Sequence, residues 1–226
     1  MRQSEREPDQ TAVIVGVAGG SASGKTTLVE ALPGFLPGVS TSLLHHDDYY
    51  HDRPDLAPAA RAGLDFDVPA ALDSRLLASH LRRLKAGQPV QSPVYCFETH
   101  SRLTETREVT PTDAVIVDGM LLLAVPGLRE LFDVSVYVDA PADLRLARRI
   151  TRDVTERGRS VESVIEQYLR TVRPAHEAFV EPSKQHADTV IADATNDSLV
   201  RRVARLIRSS LPRPAAPIPT SRELAE

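Results

Sequence analysis

Gly19-Gly20-Ser21-Ala22-Ser23-Gly24-Lys25-Thr26 constrains this chain more than any other segment, because it fits G-x-x-x-x-G-K-[ST], the glycine loop that cradles nucleotide phosphates. Such a loop works between a strand and a helix. The apolar run Ala12-Val13-Ile14-Val15-Gly16-Val17 leads into it, and the helix-forming run Thr26 to Leu32 leads out. A strand, a loop and a helix start gather backbone amides and the positive end of a helix dipole around one anion. Residues Gly19 to Thr26, with Thr27 beside them, are therefore the expected cradle of a nucleoside triphosphate, ATP or GTP. Lys25 reaches the terminal phosphates as a point charge, and the Thr26 hydroxyl sits on Mg²⁺.

Beyond the loop, short β-branched runs alternate with longer amphipathic segments. Strands are predicted near 12–17, 40–45, 113–117, 134–138 and 188–192, and helices near 25–32, 70–86, 142–157, 161–179 and 197–210. The alternation predicts an α/β fold, a three-layer α/β/α P-loop domain around a five-stranded parallel sheet. Ala114-Val115-Ile116-Val117 and Val134-Ser135-Val136-Tyr137-Val138 are almost continuously apolar, as strands buried on both faces must be. Residues 89–110 break the pattern: two extended runs flank a polar stretch, which predicts a projecting β-hairpin. Met1 to Thr11 and 212–226 are polar and proline-bearing and read as flexible tails around a single domain at 12–211.

With 226 residues and 42 % hydrophobic content, the chain suits one packed core. Its net charge of −4 does not imply a nucleic-acid surface. One cysteine, Cys96, excludes an internal disulfide framework and fits a reducing compartment. No apolar run approaches the roughly 20 residues that span a bilayer, and the N-terminus has no signal-peptide core, so no membrane partner and a cytoplasmic location are expected.

Three further features bear on chemistry. The apolar strand 115–117 ends in Asp118, where a carboxylate holds magnesium or its water shell in phosphate-loop proteins; the plain alternative is a strand-end acid capping a turn. Asp47 and Asp48 follow the second strand, at the sheet edge where ligands of open α/β folds bind. There an aspartate orients an acceptor hydroxyl and takes its proton late, and with an ordinary pKa of about 3.9 it needs no tuning to be ionised; a solvated turn acid is the alternative. Arg145, Arg149 and Arg152 recur at helical spacing, and Arg157 and Arg159 bracket Gly158. Arginine runs usually cover solvated faces, but in a phosphate-loop protein residues 143–160 suit a lid that neutralises a transferring phosphoryl group.

Taken together, these segments resemble the uridine kinase (uridine-cytidine kinase) family of bacterial type, over roughly 12–195. The resemblance is carried by the loop, Asp47-Asp48-Tyr49-Tyr50, Asp65-Phe66-Asp67-Val68-Pro69, Pro93-Val94-Tyr95-Cys96-Phe97 with His100 and Arg102, Asp118-Gly119, Arg149 to Arg159, and Ile165-Glu166-Gln167-Tyr168 through Lys184. It implies ATP-dependent 5′-phosphorylation of uridine or cytidine in pyrimidine salvage, and a homo-oligomer, dimer or tetramer. Asp47 is implied as general base and Asp67, Arg149 and Gln167 as ribose contacts. Tyr50, Tyr95, Phe97 and His100 are implied as acceptor-pocket residues, Arg152, Arg157 and Arg159 as lid contacts to the triphosphate, and Thr26 with Asp118 as metal holders.

The chain departs from the family pattern at three places. Val68 and Ala70 replace a histidine and an acid, Cys96 replaces an aspartate, and Asp118 replaces a glutamate. The competing expectations are a related kinase of phosphoribulose, pantothenate or another riboside, and a nucleotide-binding regulator without activity. A GTP switch lacks support because no Asn-Lys-x-Asp guanine signal occurs.

Overall fold

The structure is a computed structural model, and it describes residues 12–212; the tails expected at 1–11 and, past its first residue, at 212–226 lie outside the described residues. The apolar run before the loop is strand β1 (Val13–Gly19), buried along its whole length. Five parallel strands form the sheet: β1, β2 (Thr41–His45), β5 (Ala114–Asp118), β6 (Val134–Val138) and β7 (Thr189–Ile191), in the order β2-β5-β1-β6-β7. Strands β3 (Val90–Cys96) and β4 (Ser101–Val109) pair antiparallel as the predicted hairpin. Its turn ends at His100, whose φ of 50° is left-handed.

Side-chain alternation along β1 builds two cores, as a period of two requires of a strand covered on both faces. Val13, Val15 and Val17 pack with Leu28 and Leu32 of helix α1 (Lys25–Phe35) and with Val203 and Ile207 of the last helix. Ile14 and Ala18 face the other way, toward Leu77, Leu81 and Leu84 of helix α2 (Ser74–Lys85). The remaining long helices are α3 (Ala142–Arg157), α4 (Val161–Gln167) and α5 (Asp197–Ser210).

Three predicted helices differ in extent, each for a local reason. The first helix was expected to stop at Leu32, before Pro33, but α1 continues to Phe35: in its last turn the proline forfeits only one internal hydrogen bond. The helix expected from 70 begins instead at Ser74, because Asp73 caps it by accepting from the Leu76 amide at 3.0 Å. The helix expected over 161–179 is α-helical to Gln167, and beyond it π-type turns at Tyr168–Val172 and His176–Val180 flank a short α-helical stretch, Arg173–Ala175. A proline follows each, Pro174 and Pro182. The residue just before each proline bonds five positions back, Arg173 to Tyr168 and Glu181 to His176, so the wider turn makes room for the ring.

Candidate active site

The parallel register decides which strand ends meet. His45 of β2 and Val17 of β1 both lie beside Asp118 of β5, so the loop after β1, the turn after β2 and Asp118 open on one edge of the sheet. A cleft of about 1740 Å³ lies there, bounded by the phosphate loop, the turn at 45–48, the hairpin tip and the C-terminal half of α3. Of the predicted cradle, Ser21, Ala22, Gly24, Lys25, Thr26 and Thr27 line it. Gly19, Gly20 and Ser23, also predicted there, stand behind this wall instead: a Cβ at Gly19 (φ 143°) would press on the Val138 carbonyl, and one at Gly20 on Arg145. Ser23 is buried, and its hydroxyl has no hydrogen-bond partner among the described residues.

At the phosphate end, the Lys25 ammonium donates to the Gly20 carbonyl at 2.8 Å, folded back over the loop. Burial lowers its pKa, while Asp118 and Asp47 pull the other way. Asp118 is buried, and its Oδ1 lies 2.6 Å from His45 Nδ1; that contact raises the His45 pKa. Asp47 lies on the cleft wall, and its carboxyl is pushed above the usual range, first by burial and then by Asp118, with Lys25 and Arg157 opposing. The expectation of an untuned aspartate is thereby corrected: a partly desolvated carboxylate beside a second one resists ionisation. The Asp118 carboxylate, with the exposed Thr26 hydroxyl on the same cleft, suits magnesium, which takes one or two carboxylates and completes its shell with phosphate oxygens and water.

The other end of the cleft is aromatic. Phe66 stacks on His100 at 4.9 Å between ring centres and 17° between planes. Tyr50 packs edgewise on Phe66 and tilted on Tyr95, each at 5.2 Å, and Tyr95 meets Phe97 at 5.3 Å. Burial raises the Tyr95 phenol to about 12, and the Tyr50 phenol well above its ordinary value. Asp67 accepts from the Thr171 hydroxyl at 2.9 Å. Arg149 donates to Ser21 Oγ and to Gln167 Oε1, each at 2.8 Å, and Arg159 donates to the same Gln167 oxygen. All the predicted acceptor residues, namely Tyr50, Asp67, Tyr95, Phe97, His100, Arg149 and Gln167, therefore line one cleft with Asp47. Cys96 lines it as well, whereas Val68 and Ala70 do not.

The arginine stripe divides. Arg149, Arg152, Arg157 and Arg159 line the cleft, and the Arg157 guanidinium lies 5.1 Å over the Phe97 ring, so lid and hairpin touch across it. Arg145, on the same predicted face, is buried and donates to the Ala140 carbonyl at 3.0 Å. Sequence reasoning assigned no role to His45, Phe66, Thr171 or Asp153. Asp153 left a signal in its spacing, four residues from both Arg149 and Arg157; Phe66 and Thr171 lie in segments that carry the family resemblance, but their contacts, like that of His45, depend on long-range pairing.

A family model described as the phosphoribulokinase/uridine kinase family matches residues 14–199. The chain belongs to that family. Among its relatives, the uridine kinase of Brevibacillus brevis is 46 % identical over 181 residues, covering 80 % of this chain and 85 % of that one. The uridine kinase of Chloroflexus aurantiacus is 48 % identical over 178 residues, covering 79 % and 85 %. The fold extends to more distant members: phosphoribulokinase from Rhodobacter spheroides superposes with a TM-score of 0.59 at 20 % identity, over 82 % of this chain and 73 % of that one.

Proposed function

We propose that the protein is a nucleoside kinase, transferring the γ-phosphoryl group of ATP to the 5′-hydroxyl of uridine, and of cytidine, to give the monophosphate used in pyrimidine salvage. The observation carrying this reading is one cleft that joins the Lys25 loop and Asp47 to an aromatic wall of Phe66, Tyr95, Phe97 and His100. Relatives named uridine kinase at 46–48 % identity support it.

In this reading the loop amides and Lys25 bind the triphosphate, and Thr26 and Asp118 hold Mg²⁺, which when bound neutralises phosphate charge. Asp47 orients the 5′-hydroxyl. As the new O5′–P bond forms, the bond from phosphorus to the bridging oxygen breaks, and Asp47 accepts the hydroxyl proton late. Burial of Asp47 favours taking that proton, while Lys25 and Arg157 keep the carboxylate available. Lys25, Arg152 and Arg157 stabilise the charge spreading over the transferring group, in a single displacement without a covalent enzyme intermediate. Arg159 adds to the lid's charge. Asp67, Arg149 and Gln167 hold the ribose, a carboxylate accepting from vicinal hydroxyls and a planar guanidinium supplying donors in fixed geometry. Tyr50, Tyr95, Phe97 and His100 enclose a flat base.

A coupled ADP-release assay with ATP or GTP as donor, over uridine, cytidine, deoxyuridine, a phosphorylated sugar and pantothenate, tests the reading. Turnover on the pyrimidine ribosides is expected, and turnover confined to non-nucleosides sinks it. The family resemblance also implies a dimer or tetramer, which light scattering checks. Among the described residues no helix is long and apolar enough to cross a membrane.

A further inference from the structure

We propose that Asp153 is a positioning residue: one buried carboxylate behind the cleft wall that holds four lid guanidiniums in their working arrangement. The inference rests on the nucleoside-kinase reading only in that those guanidiniums serve its two substrates, Arg152, Arg157 and Arg159 the triphosphate and Arg149 the ribose.

Asp153 is fully buried in α3, while Arg149, Arg152, Arg157 and Arg159 around it all line the cleft. Its two oxygens divide the work. Oδ1 takes Arg152, at 2.9 Å from Nε and 2.8 Å from a terminal nitrogen, and Arg157 at 3.6 Å. Oδ2 takes Arg149 at 3.7 Å and Arg159 at 3.5 Å, the two arginines that converge on Gln167 Oε1. One oxygen thus serves Arg152 and Arg157, which stabilise the transferring group in that reading, and the other serves the pair that shares Gln167.

The backbone joins in, since the Asp153 carbonyl accepts from the Arg159 amide at 3.1 Å and closes the end of α3. Four like charges on one short segment repel and would splay into solvent without a counter-ion. A single buried carboxylate offsets that repulsion and still leaves the lid with excess positive charge for an incoming polyanion. Asp153 lies outside the cleft wall, so it acts through the arginines.

Asp153→Asn separates positioning from simple charge. Removing the carboxylate makes the lid more positive, so a purely electrostatic role predicts tighter ATP binding and turnover that holds or rises. The positioning role predicts that kcat per folded molecule with ATP and uridine falls about tenfold or more, as when an aimed charge-stabilising group is lost. It also predicts faster amide exchange over residues 152–160 in the free protein. Wild-type kcat or unchanged lid exchange overturns the proposal. If the asparagine variant does not fold, Asp153→Glu keeps the charge on a longer arm; a lowered kcat with little change in Tm is expected, and wild-type kcat overturns the proposal. The exchange measurement needs no substrate, so a wild type inactive on every nucleoside refutes the kinase reading while the lid result still judges Asp153.

Discussion

Asp47 and its neighbour His46 share a turn yet meet opposite demands. In the proposed mechanism Asp47 takes a proton on the cleft wall, so its raised pKa is expected to place the acid limb of activity above the ordinary carboxylate range, with turnover falling as pH drops through that raised value. Asp47→Asn is expected to lower kcat by about 10²–10⁴-fold with little change in ATP affinity, measured by steady-state kinetics and nucleotide titration. His46 is fully buried against Gly119, and burial holds its pKa down to about 3. Its folded pKa lies below the unfolded value of 6.5, so the unfolded chain binds the extra proton and stability is lost as pH falls from 6.5 toward 3. By pH 5 the loss from this one group reaches about 2 kcal/mol. Urea unfolding at pH 7 and pH 5 checks this, because His46→Asn is expected to flatten that part of the pH dependence.

Two elements, the hairpin and the phosphate loop, owe their positions to specific anchors. Arg102 of β4 donates to the Tyr50 carbonyl at 2.8 Å and the Tyr49 carbonyl at 2.9 Å, clamping the hairpin to the end of the turn that carries Asp47. Charged hydrogen bonds of this kind contribute roughly 1.5–3 kcal/mol each. Arg102→Leu is therefore expected to lower kcat/KM for the nucleoside on the order of tenfold to a hundredfold and to leave ATP affinity near wild type. An equal loss on both substrates would refute the hairpin's acceptor role. In the loop, Gly19 holds φ 143° with the Val138 backbone where a Cβ would lie, a contact no side chain can turn away from. Gly19→Ala is expected to cost about 1–3 kcal/mol in backbone strain alone and to weaken ATP binding, read by thermal unfolding and nucleotide titration.

At the scale of the whole molecule, the cleft draws on both faces of the sheet and on the hairpin, so ligands that fill it tie these parts together. If the proposed donor site is right, ATP with magnesium at about a hundred times its dissociation constant is expected to stabilise the folded state by about 2.7 kcal/mol. For a domain of this size that is a rise of about 5–10 °C in Tm. Adding EDTA is expected to remove most of the rise, and an EDTA-insensitive shift would refute metal-assisted binding through Thr26 and Asp118. Arg157 over Phe97 already links lid to hairpin, so uridine added to the ATP-bound protein is expected to raise Tm further.

By itself the sequence determined the features that depend on neighbours along the chain. The strand-loop-helix around Gly19 to Thr26, the buried alternation of β1, the hairpin at 90–109 and the arginine spacing of α3 each follow from short-range backbone geometry or periodicity, and each was legible. Family motifs further pointed to Asp47, Asp67 and His100 as parts of one site, and the fold brings them to one cleft. Only the tertiary structure decided contacts between residues far apart in the chain. Strand register put His45 on Asp118, packing stacked Phe66 on His100, and hairpin docking placed Arg102 on the Tyr49 and Tyr50 carbonyls. Burial then raised the Asp47 pKa and left one carboxylate, Asp153, among four arginines. The physical reason is common to all of these: desolvation and through-space charge depend on distances that sequence separation does not encode.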